Sequence, residues 1–172
     1  MTYELREGPP SVDDFQRLRA AAGMSDRPRA GVERGLSKSV FAVRVVSSRD
    51  GSEGPGKEDG DGGEERGEND DADRREGGDR GDEMDRQDDV VGMARVVGDG
   101  GSVYHVCDMA VHPDHQRRGL GARLMDAVMT FVEADAPPGA YVNLMADVDG
   151  FYERFGFEET RPASKGMFYR VE

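Results

Sequence analysis

The chain alternates short runs of β-forming residues with segments whose apolar positions recur at helical spacing. Tyr3-Glu4-Leu5-Arg6 reads as a short strand closed by Gly8-Pro9-Pro10. Ser11 has the character of an N-cap, with Asp13 and Asp14 in the first turn, and the helix it opens carries Val12, Phe15, Leu18 and Ala22 on one face. Arg29 to Leu36 suggests a second short helix. Ser39 to Ser47 is a compact run of Val40, Phe41, Val43, Val45 and Val46, the composition of a buried strand. Val90 to Val97 reads the same way, Gly98-Asp99-Gly100-Gly101 is a hairpin turn, and Val103 to Val111 is the strand it feeds. From Leu120 to Ala134 the period changes: Leu120, Leu124, Ala127, Val128 and Phe131 lie on one helical face, and Pro137-Pro138-Gly139 ends the helix. A strand over Tyr141–Met145, a short helix around Asp149–Arg154, and two closing strands near Phe157–Thr160 and Met167–Val171 complete the expectation. The order is that of a mixed α/β domain with antiparallel strands in its middle.

One segment breaks this pattern. Residues 49–89 contain one large apolar residue, Met84, no aromatic residue, 10 glycines, and 18 of the chain's 36 acidic residues against 7 of its 23 basic ones. Such a stretch cannot bury enough apolar surface to offset the entropy of ordering it, so it reads as a disordered acidic, glycine-rich insertion in a strand–strand connection. The formal charge of −13 is almost wholly its doing, because the rest of the chain carries −2. The expected organisation is therefore one domain over residues 1–172 with this insertion looped out. The acidic balance argues against nucleic acid or an anionic membrane as partner. Lysine is scarce (Lys38, Lys57 and Lys165), and low lysine with abundant acid resembles proteins of salt-loving cytoplasms. The single cysteine, Cys107, excludes an intrachain disulfide. Charged residues near the start and the lack of a spanning apolar run make a soluble cytoplasmic protein the expectation. His105, His112, His115 and Cys107 lack a zinc-binding spacing, so no metal is expected.

The candidate chemistry centres on Gln116-Arg117-Arg118-Gly119-Leu120-Gly121-Ala122, a glycine-bearing turn between a strand and a helix start. A helix N-terminus presents unpaired N–H groups and partial positive charge, and glycines allow a phosphate close approach. Together with the preceding Asp108-Met109-Ala110-Val111-His112-Pro113, this turn resembles the acetyl-CoA-binding motif of the GCN5-related N-acetyltransferase (GNAT) family, Arg/Gln-x-x-Gly-x-Gly/Ala after an "Ala-Val-x-Pro" strand end. About thirty residues downstream, Phe151-Tyr152-Glu153-Arg154-Phe155-Gly156-Phe157 is similar to the family's "Phe-Tyr-Glu-Lys-x-Gly-Phe" element.

The resemblance implies a central mixed, mostly antiparallel sheet with splayed strands, flanked by helices. It implies acetyl-CoA as co-substrate, its pyrophosphate held by backbone N–H groups of Arg117 to Ala122, with Gln116 in the motif and charge from Arg117 and Arg118. Main-chain atoms from Met109 through Ala110 to Val111 would pair with the pantetheine arm, and Tyr152 would protonate the departing thiolate. The general base is left open between His105, five residues before Ala110, Asp108 and a water; alternation along a strand places the two side chains on opposite faces unless a bulge intervenes. Cys107 reads as a strand thiol rather than a covalent acyl carrier. The family reaction is direct attack of a primary amine on the thioester in a ternary complex. A small-molecule or a protein amine is the expected acceptor, and monomer or homodimer the expected state. A non-catalytic acyl-CoA-binding regulatory module and a transferase of another acyl group are the alternatives.

Overall fold

A computed structural model describes residues 1–48, 89–167 and 169–170. The segment read as the acidic insertion falls, up to residue 88, outside the described residues; Asp89 already belongs to a strand. The elements run β1 (Thr2–Glu7), α1 (Val12–Ala21), α2 (Arg29–Leu36), β2 (Phe41–Ser48), β3 (Asp89–Gly98), β4 (Val103–Val111), α3 (Leu120–Asp135) and β5 (Tyr141–Leu144). Short 3-10 turns occur at Pro113–His115 and Tyr152–Phe155.

The five strands form one sheet in the order β1-β2-β3-β4-β5. Consecutive pairs are antiparallel as far as β4, and β5 lies parallel to β4 because α3 carries the chain back across the sheet. Helices cover both faces. On one, Leu120, Leu124, Met125, Val128 and Val132 of α3 pack on Val43, Val45, Val96, Tyr104 and Val106. On the other, Phe15 and Leu18 of α1 and Val32 and Leu36 of α2 pack on Val90, Met93 and Ala110. The cap expected at Ser11 is made: its Oγ accepts the Asp14 N–H at 3.1 Å.

The side-chain alternation of β4 breaks near its end. Tyr104 and Val106 point to the α3 side, and two positions later the same phase would put Asp108 there too. Instead Met109 and Val111 pack toward α3, while Ala110 lies in the core beneath α1 and α2. The register explains the switch: Cys107 pairs with Arg95 and Ala110 with Met93, so Asp108 and Met109 together oppose Ala94. This is a β-bulge, and Asp108 sits in it with φ of 50°. The bulge is the condition under which opposite faces are not expected: the extra residue brings Asp108 round to the α1–α2 side, which alternation also assigns to His105.

Two expectations near the C-terminus differ from the structure. The helix around Asp149–Arg154 is a single 3-10 turn, Tyr152–Phe155, stopped by Gly156 in the left-handed region. Phe157–Thr160 is not a strand: after the partly buried Phe157, Glu158, Glu159 and Thr160 are all exposed, so the run has no apolar face to bury. Met167, Tyr169 and Arg170 are not in a strand either, and the remainder of the Met167–Val171 expectation lies outside the described residues.

Candidate active site

The site forms where the sheet opens. β4 and β5 pair from Val103↔Tyr141 to Val106↔Leu144, and there the pairing stops. Beyond this fork, Cys107 to Val111 continue along β3 alone. The chain then turns through Pro113–His115, capped by His112 Nδ1 accepting the Asp114 N–H at 3.3 Å, and enters α3.

The entry to α3 has the backbone of an anion cradle. Arg117 (φ 58°) and Gly119 (φ 77°) both adopt left-handed conformations, and Gly119 is the N-cap. The first helical bond from this cap runs from the Arg123 N–H to the Gly119 carbonyl at 3.1 Å, so the N–H groups of Leu120, Gly121 and Ala122 lie ahead of the ladder. A Cβ at Gly119 would meet nothing within 4 Å, which leaves the face open to a ligand. Leu120, 2% exposed, anchors this turn in the core. Arg117 and Arg118 are exposed beside it, and Gln116 Nε2 donates to the Val111 carbonyl at 3.0 Å, bracing turn against strand. Backbone donors, a helix dipole and two guanidinium groups are a donor set that fits a pyrophosphate.

Gly121 is where three separate parts of the chain meet. A Cβ there would sit 3.6 Å from the Phe151 ring and 3.8 Å from Met109 Cε. The glycine turn, the end of β4 and the Phe151–Phe157 block are therefore one locus. Phe151 stands edge-on to Tyr152 with centroids 5.0 Å apart. Tyr152 is 8% exposed within the α3-side core, and burial, reinforced by the charge of Asp147, raises its hydroxyl pKa above the ordinary value.

The two base candidates have different surroundings. His105 lies on the last paired rungs of the fork, opposite Asn143, and its Nδ1 is 2.6 Å from Asn143 Oδ1. An amide oxygen only accepts, so Nδ1 carries the proton and Nε2 of the neutral ring is left as an acceptor. Asp108 is buried and already engaged: Oδ1 accepts from Arg19 Nη1 and Oδ2 from Arg95 Nε at 2.9 Å. Both guanidinium groups flank the Phe15 ring, each 5.6 Å from its centroid. Burial lowers the Arg19 pKa and Asp108 opposes that shift. Removing one partner from such a buried cluster costs about 3–5 kcal/mol. Cys107 is partly buried beside the cluster, and burial, then the charge of Asp108, pushes its thiol up to about 11. No group of three or more potential metal ligands occurs among the described residues.

Arg19 and Arg95 are the residues that sequence reasoning missed. The available signal was an arginine set between Phe15, Leu18 and Ala22 on the apolar face of α1, a position that calls for a buried anion. The pairing of His105 with Asn143 was equally out of reach, because it depends on the parallel register of β5.

A sheet that forks beside a helix N-terminus, with a buried tyrosine at the junction, has a geometry that would suit an extended ligand with a phosphate at one end. Comparison with known proteins shows what this chain is similar to. Residues 83–159 match the acetyltransferase (GNAT) domain model. A chloroplastic GCN5-related N-acetyltransferase 2 of Arabidopsis thaliana is 34% identical over 162 residues, covering 92% of this chain and 54% of that protein. A Glycine max protein named histone acetyltransferase TAP1 is 34% identical over 83 residues, covering 46% of this chain and 35% of that one. The chain thus spans about half or less of the length of these curated relatives. A solved probable acetyltransferase from methicillin-resistant Staphylococcus aureus superposes with a TM-score of 0.73 at 27% identity, covering 99% of this chain and 100% of that one. Residues 83–159 thus carry a GNAT acetyltransferase domain match, and the chain is similar in sequence and in fold to proteins named as GCN5-related N-acetyltransferases.

Proposed function

We propose that the protein is an acetyl-CoA-dependent N-acetyltransferase acting on a primary amine by direct transfer. The observation that carries this reading is the meeting of Met109, Gly121 and Phe151, which joins the open strand end, the helix N-terminus and the Tyr152 turn in one place. When bound, acetyl-CoA supplies an acyl group activated as a thioester. The N–H groups at Gly119–Ala122, with Arg117, Arg118 and the Gln116-braced turn, hold the pyrophosphate. The edge of β4 at Met109 and Val111, beyond the point where pairing with β5 ends, lies along the pantetheine arm. A backbone N–H on this edge stabilises the negative charge that develops on the carbonyl oxygen. Ala110 only spaces Met109 from Val111, because its side chain is buried beneath α1 and α2 and its carbonyl lies against Gly92 of β3.

His105 takes the base role in this reading. Its Nε2 accepts a proton from the acceptor's ammonium group, and Asn143 fixes the tautomer that makes Nε2 available. Tyr152 gives its proton to the departing sulfur; its raised pKa keeps it protonated throughout the neutral range. Asp108 is assigned to holding the bulge, since two guanidinium groups occupy its oxygens. The acceptor enters on the side of the connection between α1 and α2, and a small-molecule amine is favoured over a protein.

The test is coenzyme A release from acetyl-CoA over a panel of small amines and lysine peptides, with acetyl-CoA binding measured in parallel by calorimetry. Micromolar binding with amine-dependent release is the expected result. Binding without release on the whole panel would overturn the enzymatic reading in favour of an acyl-CoA-binding module, and tighter binding of a longer acyl-CoA would redirect it to another acyl donor.

A further inference from the structure

One side chain joins the two sides of the site. Arg19, 4% exposed near the end of α1, donates from Nη1 to Asp108 Oδ1 at 2.5 Å. The same guanidinium donates to the Ser25 carbonyl from Nη2 at 2.5 Å and from Nε at 3.2 Å. Ser25 lies in the connection between α1 and α2. Asp108 is the bulge residue, held at a left-handed φ that a non-glycine residue adopts only when its surroundings enforce it. Its other oxygen takes Arg95, whose Nη1 reaches the Gly35 carbonyl at 3.2 Å and Ser39 Oγ at 3.1 Å, at the end of α2. Bulge, α1, the α1–α2 connection and the end of α2 therefore converge on one carboxylate. A cluster kept for stability alone gains little over apolar packing of the same volume, whereas a fixed ionic geometry specifies position.

We propose that Arg19 is a positioning residue that sets the α1–α2 connection and the β4 bulge at one spacing, so that the acceptor's amine and the thioester meet in register. The kinetic part of this inference rests on the acetyl-transfer reading; the linkage itself rests on the contacts. Lysine at position 19 keeps the charge beside Asp108 but cannot hold the Ser25 carbonyl at the same time.

The experiment uses the full chain with Arg19→Lys, Asp108→Asn and the double variant, each checked for folding by circular dichroism. Amide NMR spectra of residues 24–27 and 107–110 are recorded, and initial rates are measured with both substrates varied. Either single variant should shift amides in both segments. Each should lower kcat about tenfold or more while acetyl-CoA affinity stays within about threefold, because misplacement of reacting groups costs rate and the pyrophosphate end is untouched. The double variant should lose little beyond the worse single, since both act through one link. Wild-type kcat in folded variants, additive losses, or amide shifts confined to one segment would overturn the proposal. If the wild-type chain releases no coenzyme A on any amine, the acetyl-transfer reading has failed, and the amide spectra alone decide the linkage: shifts in both segments uphold it and shifts in one refute it. Should Arg19→Lys fail to fold, Asp108→Asn is read by the same criteria.

Discussion

Replacing Tyr152 by phenylalanine removes one oxygen and leaves the ring that packs against Phe151 and the α3-side core. Tyr152 is 8% exposed and the variant keeps its ring, so its stability should lie within about 1 kcal/mol of wild type, the scale of one hydroxyl group's net contribution. Catalysis should respond on another scale. A positioned general acid contributes about 10²–10⁴-fold, so kcat should fall at least a hundredfold, equivalent to about 2.7 kcal/mol of barrier. The pH profile separates a general acid from a packing residue. Burial raises the pKa of the Tyr152 hydroxyl above its ordinary value of 10.0. The proton needed for transfer is thus present at neutral pH and lost only above pH 10, giving wild type an alkaline fall in rate that Tyr152→Phe should lack. Stability moves in the same sense. A folded-state pKa above the unfolded one means that the contribution is complete below pH 10 and lost as pH rises through the folded value. The assay is single-turnover coenzyme A release between pH 6 and 11, with thermal melts of both proteins. A variant that melts like wild type and turns over within twofold of it would refute the assignment.

Gly119→Ala forces a side chain into the left-handed N-cap and should cost about 1–2 kcal/mol in chemical denaturation. Its Cβ projects into the open face of the cradle, so acetyl-CoA affinity measured by calorimetry should fall by about tenfold or more. Leu124→Ala empties a fully buried position between α3 and the sheet and should destabilise by about 2–5 kcal/mol in urea melts, with KM for acetyl-CoA unchanged in the folded fraction. Cys107, its thiol pKa pushed up to about 11, should alkylate at pH 8 at least tenfold more slowly than a free cysteine, and Cys107→Ala should retain activity. Asn143→Ala frees the His105 ring to adopt either tautomer and should lower kcat several-fold with little change in melting temperature, measured in the same release assay.

The parts of the fold that could be read directly from the chain are those set by local rules. Ser11 caps α1 because its hydroxyl answers an orphan N–H three residues on, and the apolar stripe of α3 repeats at the helical period. The Gly98–Gly101 turn returns the chain because its glycines permit the backbone a hairpin needs. The Phe157–Thr160 expectation failed for a complementary reason: strand character needs a partner and a face to bury, and a short run of glutamates beside one phenylalanine supplies neither.

The proposed donor side rests on stretches local in sequence: Gln116–Ala122 and the Phe151–Phe157 block resemble family motifs as they stand in the chain, because the phosphate cradle proposed for them would use consecutive backbone groups at a helix start. How the rest of the site is aimed emerged with the folded arrangement. The bulge that turns Asp108 toward α1 exists because β3 and β4 pair with one residue in excess, and neither strand records that count alone. Arg19 meets Asp108 across 89 positions of sequence, and His105 meets Asn143 across 38. Such contacts follow from how strands register and helices pack, which depends on the whole core at once.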